Sequence, residues 1–256
     1  MIQSSDLVGA VNRTMYYDQA QFDIRFEWGE AGVLALAPHC DVTVIVDVLS
    51  FTTSVEIATA NGAIVYPFHG REIEAEAFAA RHDALLAAHS RTGSGYTLSP
   101  SSLVTIPAGT RLVLPSLNGS QLTYRAYEIA PDQPILAACL RNAAAVAHAI
   151  SEQGWRRVGV IAAGERWPGD HTLRPAIEDL AGAGAVIARL PGTRSPEADT
   201  AVATFDMALT GLPDFLRHCS SGRELIERGF GADVELAAQL DVANGAPCLV
   251  DLGFVR

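Results

Sequence analysis

From Asp41 to Ser50 the chain reads DVTVIVDVLS, a nearly unbroken run of β-branched residues. A run without polar alternation predicts a central strand covered on both faces. The period then changes. TTSVEIATANG predicts a helix with Thr52 or Thr53 near its N-cap and a stop at Asn61-Gly62. AIVYPF predicts a second strand, and REIEAEAFAARHDALLAAHS, rich in alanine and charge, predicts a helix. Upstream, QFDIRFEWG alternates as a strand does, while RTGSGYTLSPSSLVTIPAGT has the composition of turns and predicts a loop.

The alternation of strand and helix recurs. RLVLPSLNGSQLTYRAYE predicts strand, turn and helix, and QPILAACLRNAAAVAHAISEQG predicts strand and helix. RRVGVIAAGERWPGDHTLRPAIEDLAGAGAVIARL predicts a strand, a long polar loop and a helix. Two or three helices are expected between Pro196 and Leu240, and PCLVDLGF is expected to form a closing strand. This order predicts an α/β fold, with a mostly parallel sheet carrying helices on both faces. No linker rich in proline, glycine or serine divides the chain, so a single domain over residues 1–256 is expected.

Composition narrows the chemistry. A chain of 256 residues that is 49% hydrophobic can bury a proper core. No apolar run reaches the roughly 18 residues of a membrane helix, and MIQSSDLVGAVNRT lacks the basic start and apolar block of a secretory signal. Cys40, Cys139, Cys219 and Cys248 are widely spaced, as reduced thiols of a cytoplasmic protein would be. A net charge of −11 argues against a nucleic-acid surface. The chain contains no lysine, which excludes Schiff-base chemistry, a lysine base and a P-loop lysine. An anionic ligand must then be held by arginine, backbone N–H groups, hydroxyls or a metal.

In open parallel sheets ligands bind beyond the carboxyl ends of the strands, and three such ends are polar here. At the first, Asp47 precedes Ser50, Thr52, Thr53 and Ser54. The carboxylate can bind Mg²⁺ or attack phosphorus, the hydroxyls and helix-start N–H groups can hold phosphate, and plain capping is the competing account. At the second, Ser116, Asn118, Gly119 and Ser120 form a turn into a helix, able to gather N–H and O–H donors or simply to cap it. At the third, Glu165 can bind a metal or act as a base, and Arg166 or Arg174 can clamp an anion; surface pairing is the bland alternative.

Glu178-Asp179 read as solvated acids of the next helix, and Asp233, Glu235 and Asp241 as cap and surface acids. His39-Cys40-Asp41 is a weak metal candidate, because adjacent side chains rarely point at one ion. GFGAD at Gly229–Asp233 reads as a turn between helices.

The segments VIVDVLSFTTSVEIATANGA, RLVLPSLNGS, LRNAAAVAHAI, GVIAAGERWPGDHTLRPAIEDLAGAGAVI and LIERGFGADVELAAQLDV resemble, in order, the 2-phosphosulfolactate phosphatase family. The resemblance implies a three-layer α/β/α sandwich and a Mg²⁺-dependent acid phosphatase. Its family reaction removes phosphate from 2-phospho-3-sulfolactate on the way to coenzyme M. Asp47 matches the acid of the family's first motif, Ser116, Asn118 and Gly119 its Ser-Pro-Asn-Gly turn, and Gly164-Glu165 its Gly-Glu pair. Two positions depart from the pattern. Ser50-Phe51 stand where the family commonly has Arg-Ala, which removes a guanidinium beside the acid, and Leu117 replaces the proline of the turn.

The expectation is a cytoplasmic Mg²⁺-dependent phosphomonoesterase acting on a small anionic organophosphate, with no nucleic-acid or membrane partner and room for a homo-oligomer. Asp47 is metal ligand or nucleophile, and Glu165 is second ligand or base. Thr52, Thr53, Ser116, Asn118, Gly119 and Ser120 are expected to hold phosphate, and Arg166 or Arg174 the second anionic group. The competing readings are a non-catalytic binding protein for a phosphorylated or sulfonated metabolite, and a lyase or isomerase of phospho-acids.

Overall fold

A computed structural model describes residues 16–93 and 95–256 of the chain, so the expectation drawn from MIQSSDLVGAVNRT lies outside the described residues. In chain order the strands are β1 (Ile24–Trp28), β2 (Val42–Val46), β3 (Ile64–Phe68), β4 (Leu85–Leu86), β5 (Arg111–Pro115), β6 (Ile135–Ala138), β7 (Val158–Ala162), β8 (Glu165–Arg166), β9 (Leu173–Arg174), β10 (Cys248–Val250) and β11 (Gly253–Val255). The helices are α1 (Gly29–Leu36), α2 (Phe51–Ala60), α3 (Glu72–Arg81), α4 (Gly119–Ile129), α5 (Ala143–Glu152), α6 (Ile177–Ile187), α7 (Pro196–Leu209), α8 (Leu212–His218), α9 (Ser220–Glu227) and α10 (Gly231–Ala237).

Among the described residues nine strands form one sheet, in the order β1-β7-β2-β6-β10-β11-β3-β5-β4, while β8 and β9 pair apart from it. Pairing is parallel through β1-β7-β2-β6 and again through β3-β5-β4. The β10–β11 hairpin lies antiparallel between these two halves. Its hold on each is narrow: Cys248 stands opposite Leu136, and Phe254 opposite Val65. The mostly parallel, three-layer expectation therefore describes the fold.

The continuous apolar run of β2 has the predicted cause, because both faces of the strand are covered. Val42, Val44 and Val46 pack with Val146 and Ile150 of α5, Val186 of α6 and Phe205 of α7. Ile45 points the other way, into Leu36 of α1, Val55 of α2 and Leu122 of α4. Helix α6 reaches α7 so closely that a Cβ on Gly184 would lie 2.0 Å from the Ala201 carbonyl oxygen. A buried ion pair ties α2 to the start of α5. Arg141 Nε donates to Glu56 Oε2 of α2 at 2.5 Å, and Arg141 Nη1 reaches the Leu236 carbonyl of α10 at 3.1 Å.

Four local expectations are corrected. The helix predicted over 71–90 stops at Arg81; Asp83 turns left-handed (φ 48°), and Leu85–Leu86 leave to pair with β5. A hydrophobic sheet edge outweighs alanine's helix propensity there. PCLVDLGF is a hairpin, because Asp251 and Leu252 reverse the chain with φ of 48° and 65°. Four helices, α7 to α10, occupy the stretch where two or three were expected. Finally, Gly29 (φ 57°) ends β1 and opens α1, a helix the sequence pattern had not separated from its strand. No helix among the described residues is long and apolar enough to cross a membrane. All four cysteines are free thiols.

Candidate functional site

Asp47 leaves β2 buried, 5% exposed, and both of its carboxylate oxygens are engaged. Oδ1 accepts from the Phe51 amide at 3.0 Å, and Oδ2 accepts from the Gly119 amide at 2.9 Å. One acid thus satisfies the first N–H groups of two helices, α2 and α4. Gly119 is required at this contact. An added Cβ would lie 2.3 Å from Phe51 Cδ1 and 2.8 Å from Asp47 Oδ2.

The neighbouring hydroxyls serve the backbone. Thr52 Oγ1 donates to the Asp47 carbonyl at 2.7 Å, Thr53 Oγ1 to the Val48 carbonyl at 2.8 Å and Ser120 Oγ to the Leu114 carbonyl at 2.9 Å. All three side chains are buried. These hydroxyls lock the two strand-to-helix turns and are turned to carbonyls, and the N-cap of α2 is Ser50, with Thr52 and Thr53 close by in the first turn.

The second strand end meets the third at Asn118. Its Nδ2 donates to Glu165 Oε2 at 3.0 Å, while its amide donates to Ser116 Oγ at 3.3 Å. Contacts thus link the exits of β2, β5 and β7: Asn118 and Glu165 face one cleft, and Asp47 is buried against Gly119, the residue after Asn118. Leu117, the residue in place of the family's proline, is 65% exposed at the cleft mouth. A cavity of about 240 Å³ opens there, lined by Trp28, Asn118, Gln121, Glu165 and Arg166 among others.

Glu178 and Asp179, expected to be solvated, are buried beneath this cleft. The helix they begin is Ala- and Gly-rich and covered almost all round, so its first-turn acids go inside with it. Asp179 Oδ1 accepts from the Val48 amide at 2.7 Å and Oδ2 from the Gly164 amide at 2.8 Å, a second clamp joining the exits of β2 and β7. Glu178 Oε2 is buried without a hydrogen-bond partner.

Burial raises the Asp47 pKa, opposed by the Phe51 and Gly119 amides and by Arg91. Burial, then the charges of Asp47 and Glu178, hold the Asp179 pKa well above the usual range. Burial, with Asp47 next, pushes Glu165 up to about 7 against the Asn118 hydrogen bond.

Asp47, Glu165 and Asp179 thus answer their burial and mutual repulsion by holding protons more readily than free carboxyls. The donor set, all oxygen, is the kind Mg²⁺ prefers. No three acidic, histidine or cysteine side chains among the described residues stand close enough to hold an ion by themselves. The residues fit an ion bound through one or two carboxylates that draws its other oxygens from water and phosphate, as Mg²⁺ commonly does.

The arginines divide unexpectedly. Arg166 lies exposed over the cleft and donates to the Leu117 carbonyl at 3.2 Å and to Gln121 Oε1 at 2.6 Å. Arg174 donates to Ser221 Oγ at 3.1 Å and lies over the Trp167 ring. Arg91, which the sequence left inside a plain loop, donates to Ser50 Oγ at 2.9 Å and so puts a guanidinium beside the first motif after all. The one available hint was a lone arginine in a loop of small polar residues.

A sequence profile described as 2-phosphosulpholactate phosphatase matches residues 35–251. A protein of Gloeobacter violaceus is 32% identical over 216 residues, covering 81% of this chain and 87% of its own length. Proteins of Synechococcus sp. (strain CC9605) and Thermotoga petrophila are each 30% identical, covering 84% and 85% of this chain and 92% of their own lengths. All three are named "Probable 2-phosphosulfolactate phosphatase".

Proposed function

This chain belongs to the 2-phosphosulfolactate phosphatase family, and from that premise we propose that it hydrolyses a small acidic phosphomonoester, 2-phospho-3-sulfolactate, to 3-sulfolactate and phosphate with the help of Mg²⁺. The observation that carries the reading is that Glu165 meets Asn118 in one cleft, while the next residue, Gly119, is bonded to the buried Asp47.

Asp47 and Glu165 would hold the ion, whose chemistry is to neutralise phosphate oxygens as charge shifts in transfer. Ser116, Asn118 and the N-terminal turn of α4 would hold the phosphate, where helix-end N–H groups and the dipole favour an anion. Where Glu165 is not itself bound to the ion, its carboxylate, with one oxygen steadied by Asn118, would take the proton of the attacking water. The water oxygen bonds to phosphorus, the ester P–O bond breaks, and the departing alkoxide takes a proton to become the hydroxyl of the product. Asp47, 5% exposed with both oxygens holding amides, lacks an open line to phosphorus. It is an anchor of the two turns, and as a ligand it would share with the ion an oxygen that already accepts an amide.

Phosphate release from 2-phospho-3-sulfolactate, measured with Mg²⁺ and then with EDTA, tests the reading. Metal-dependent release supports it. Saturable binding without release would favour a binding protein instead, and a product retaining phosphate would indicate a lyase or isomerase.

A further inference from the structure

A second cavity, of about 380 Å³, opens on the other side of the Ser116-Leu117 turn. Its wall carries His69, His89, Arg91, Arg228 and Ser116. Leu117 lines both cavities, so the second adjoins the proposed phosphate position.

Arg91 is built into its place. Its side chain is 12% exposed. Nη1 donates to Asp233 Oδ2 at 3.1 Å, and Nη2 to Ser50 Oγ at 2.9 Å. Asp233, expected to be a cap or surface acid, is fully buried and accepts in turn from Ser99 Oγ at 2.6 Å and from Ser101 Oγ at 2.7 Å. Such a chain of hydrogen bonds fixes a planar fork where it can meet an anion without further ordering. Arg91 and Arg228 also lie over the same Phe230 ring, at 5.7 and 6.0 Å from its centroid. Two guanidinium groups gathered on one aromatic ring offer an entering anion N–H donors from two sides. The opposing charges differ in kind: Asp233, which pairs with Arg91 at 3.1 Å, is fully buried, while Glu224, which pairs with Arg228 at 3.0 Å, and Glu72 on the rim are exposed.

We propose that this cavity binds the non-reacting anionic end of the substrate, a sulfonate on a three-carbon acid, with Arg91 and Arg228 as the binding groups and Asp233 as the positioning residue. The proposal rests on the phosphatase reading for the identity of the substrate. It replaces Arg166 or Arg174 with Arg91 and Arg228 as the clamp for the second charge.

Binding of the product-like acid 3-sulfolactate, compared with lactate, which lacks the sulfonate, tests the cavity without requiring turnover. Isothermal titration of the full chain should show sulfolactate binding at least about tenfold more tightly than lactate, as a charge-assisted contact predicts. Arg91→Gln and Arg228→Gln should each remove most of that preference, whereas Arg166→Gln should keep it. Arg228 is exposed, so its variant separates loss of binding from loss of folding. Asp233→Asn should weaken sulfolactate in step with Arg91→Gln. A preference that survives both arginine changes, or a wild-type chain without any preference, would overturn the proposal. Absence of phosphate release alongside a preference lost in the arginine variants would retire the phosphatase reading and leave the cavity assignment standing.

Discussion

The Gly119 amide donates to Asp47 Oδ2 at 2.9 Å across 72 residues of chain. The bond fixes the exit of β2 against the start of α4, and no side chain fits between them. Gly119→Ala should therefore destabilise the fold by about 1–3 kcal/mol, as overpacking does, and lower phosphate release further by moving Asn118. A urea midpoint and a turnover number decide it; a variant matching the parent in both would show that the contact is not needed.

Asp47→Asn keeps the shape but turns one acceptor into a donor facing a backbone N–H. Turnover should fall about 10²–10³-fold, the usual effect of removing a well-placed charge-stabilising group. Near-normal phosphate release would take Asp47 out of the mechanism.

The buried carboxylates make metal-free stability depend on pH. Glu165 has an ordinary value of 4.5 and is pushed to about 7 in the fold, so the folded chain keeps a proton that the unfolded chain gives up between these values. Its contribution is complete below pH 4.5 and is lost as pH rises through 7. Asp47 and Asp179 shift the same way. Melting temperatures in EDTA should fall from about pH 5 to pH 8, and Mg²⁺ should restore more stability at the upper end than at the lower. A flat or rising EDTA profile would contradict the site's electrostatics.

Away from the cleft, Arg141→Met should leave Glu56 buried and unpaired. Removing one partner of a buried pair costs about 3–5 kcal/mol, and changing Glu56 to an apolar residue as well should recover much of it. Denaturant unfolding of the two variants checks this; a loss under about 1 kcal/mol in the single variant would place the pair among weak surface bridges.

Much of the frame was legible because β2, β5, β6 and β7 carry their burial in an unbroken apolar pattern. The exits at Asp47, Asn118 and Glu165 were legible because an acid or amide at the end of such a strand breaks that pattern. What remained hidden depended on distant neighbours. Glu178 and Asp179 resemble any exposed first-turn acids until α6 is seen to be enclosed. Thr52, Thr53 and Ser120 have hydroxyls whose partners are carbonyls a few residues back, a choice sequence type alone does not reveal. Arg91 and Asp233 stand 142 residues apart, and neither signals the other.

The narrow hairpin of β10 and β11 carries a consequence for biosynthesis. Both parallel halves of the sheet leave the ribosome before the strands that join them, which are translated after everything they connect. Until Phe254 arrives opposite Val65, the edges of β6 and β3 wait open, and a nascent chain stalled before that point should be held by chaperones that cover bare strand edges.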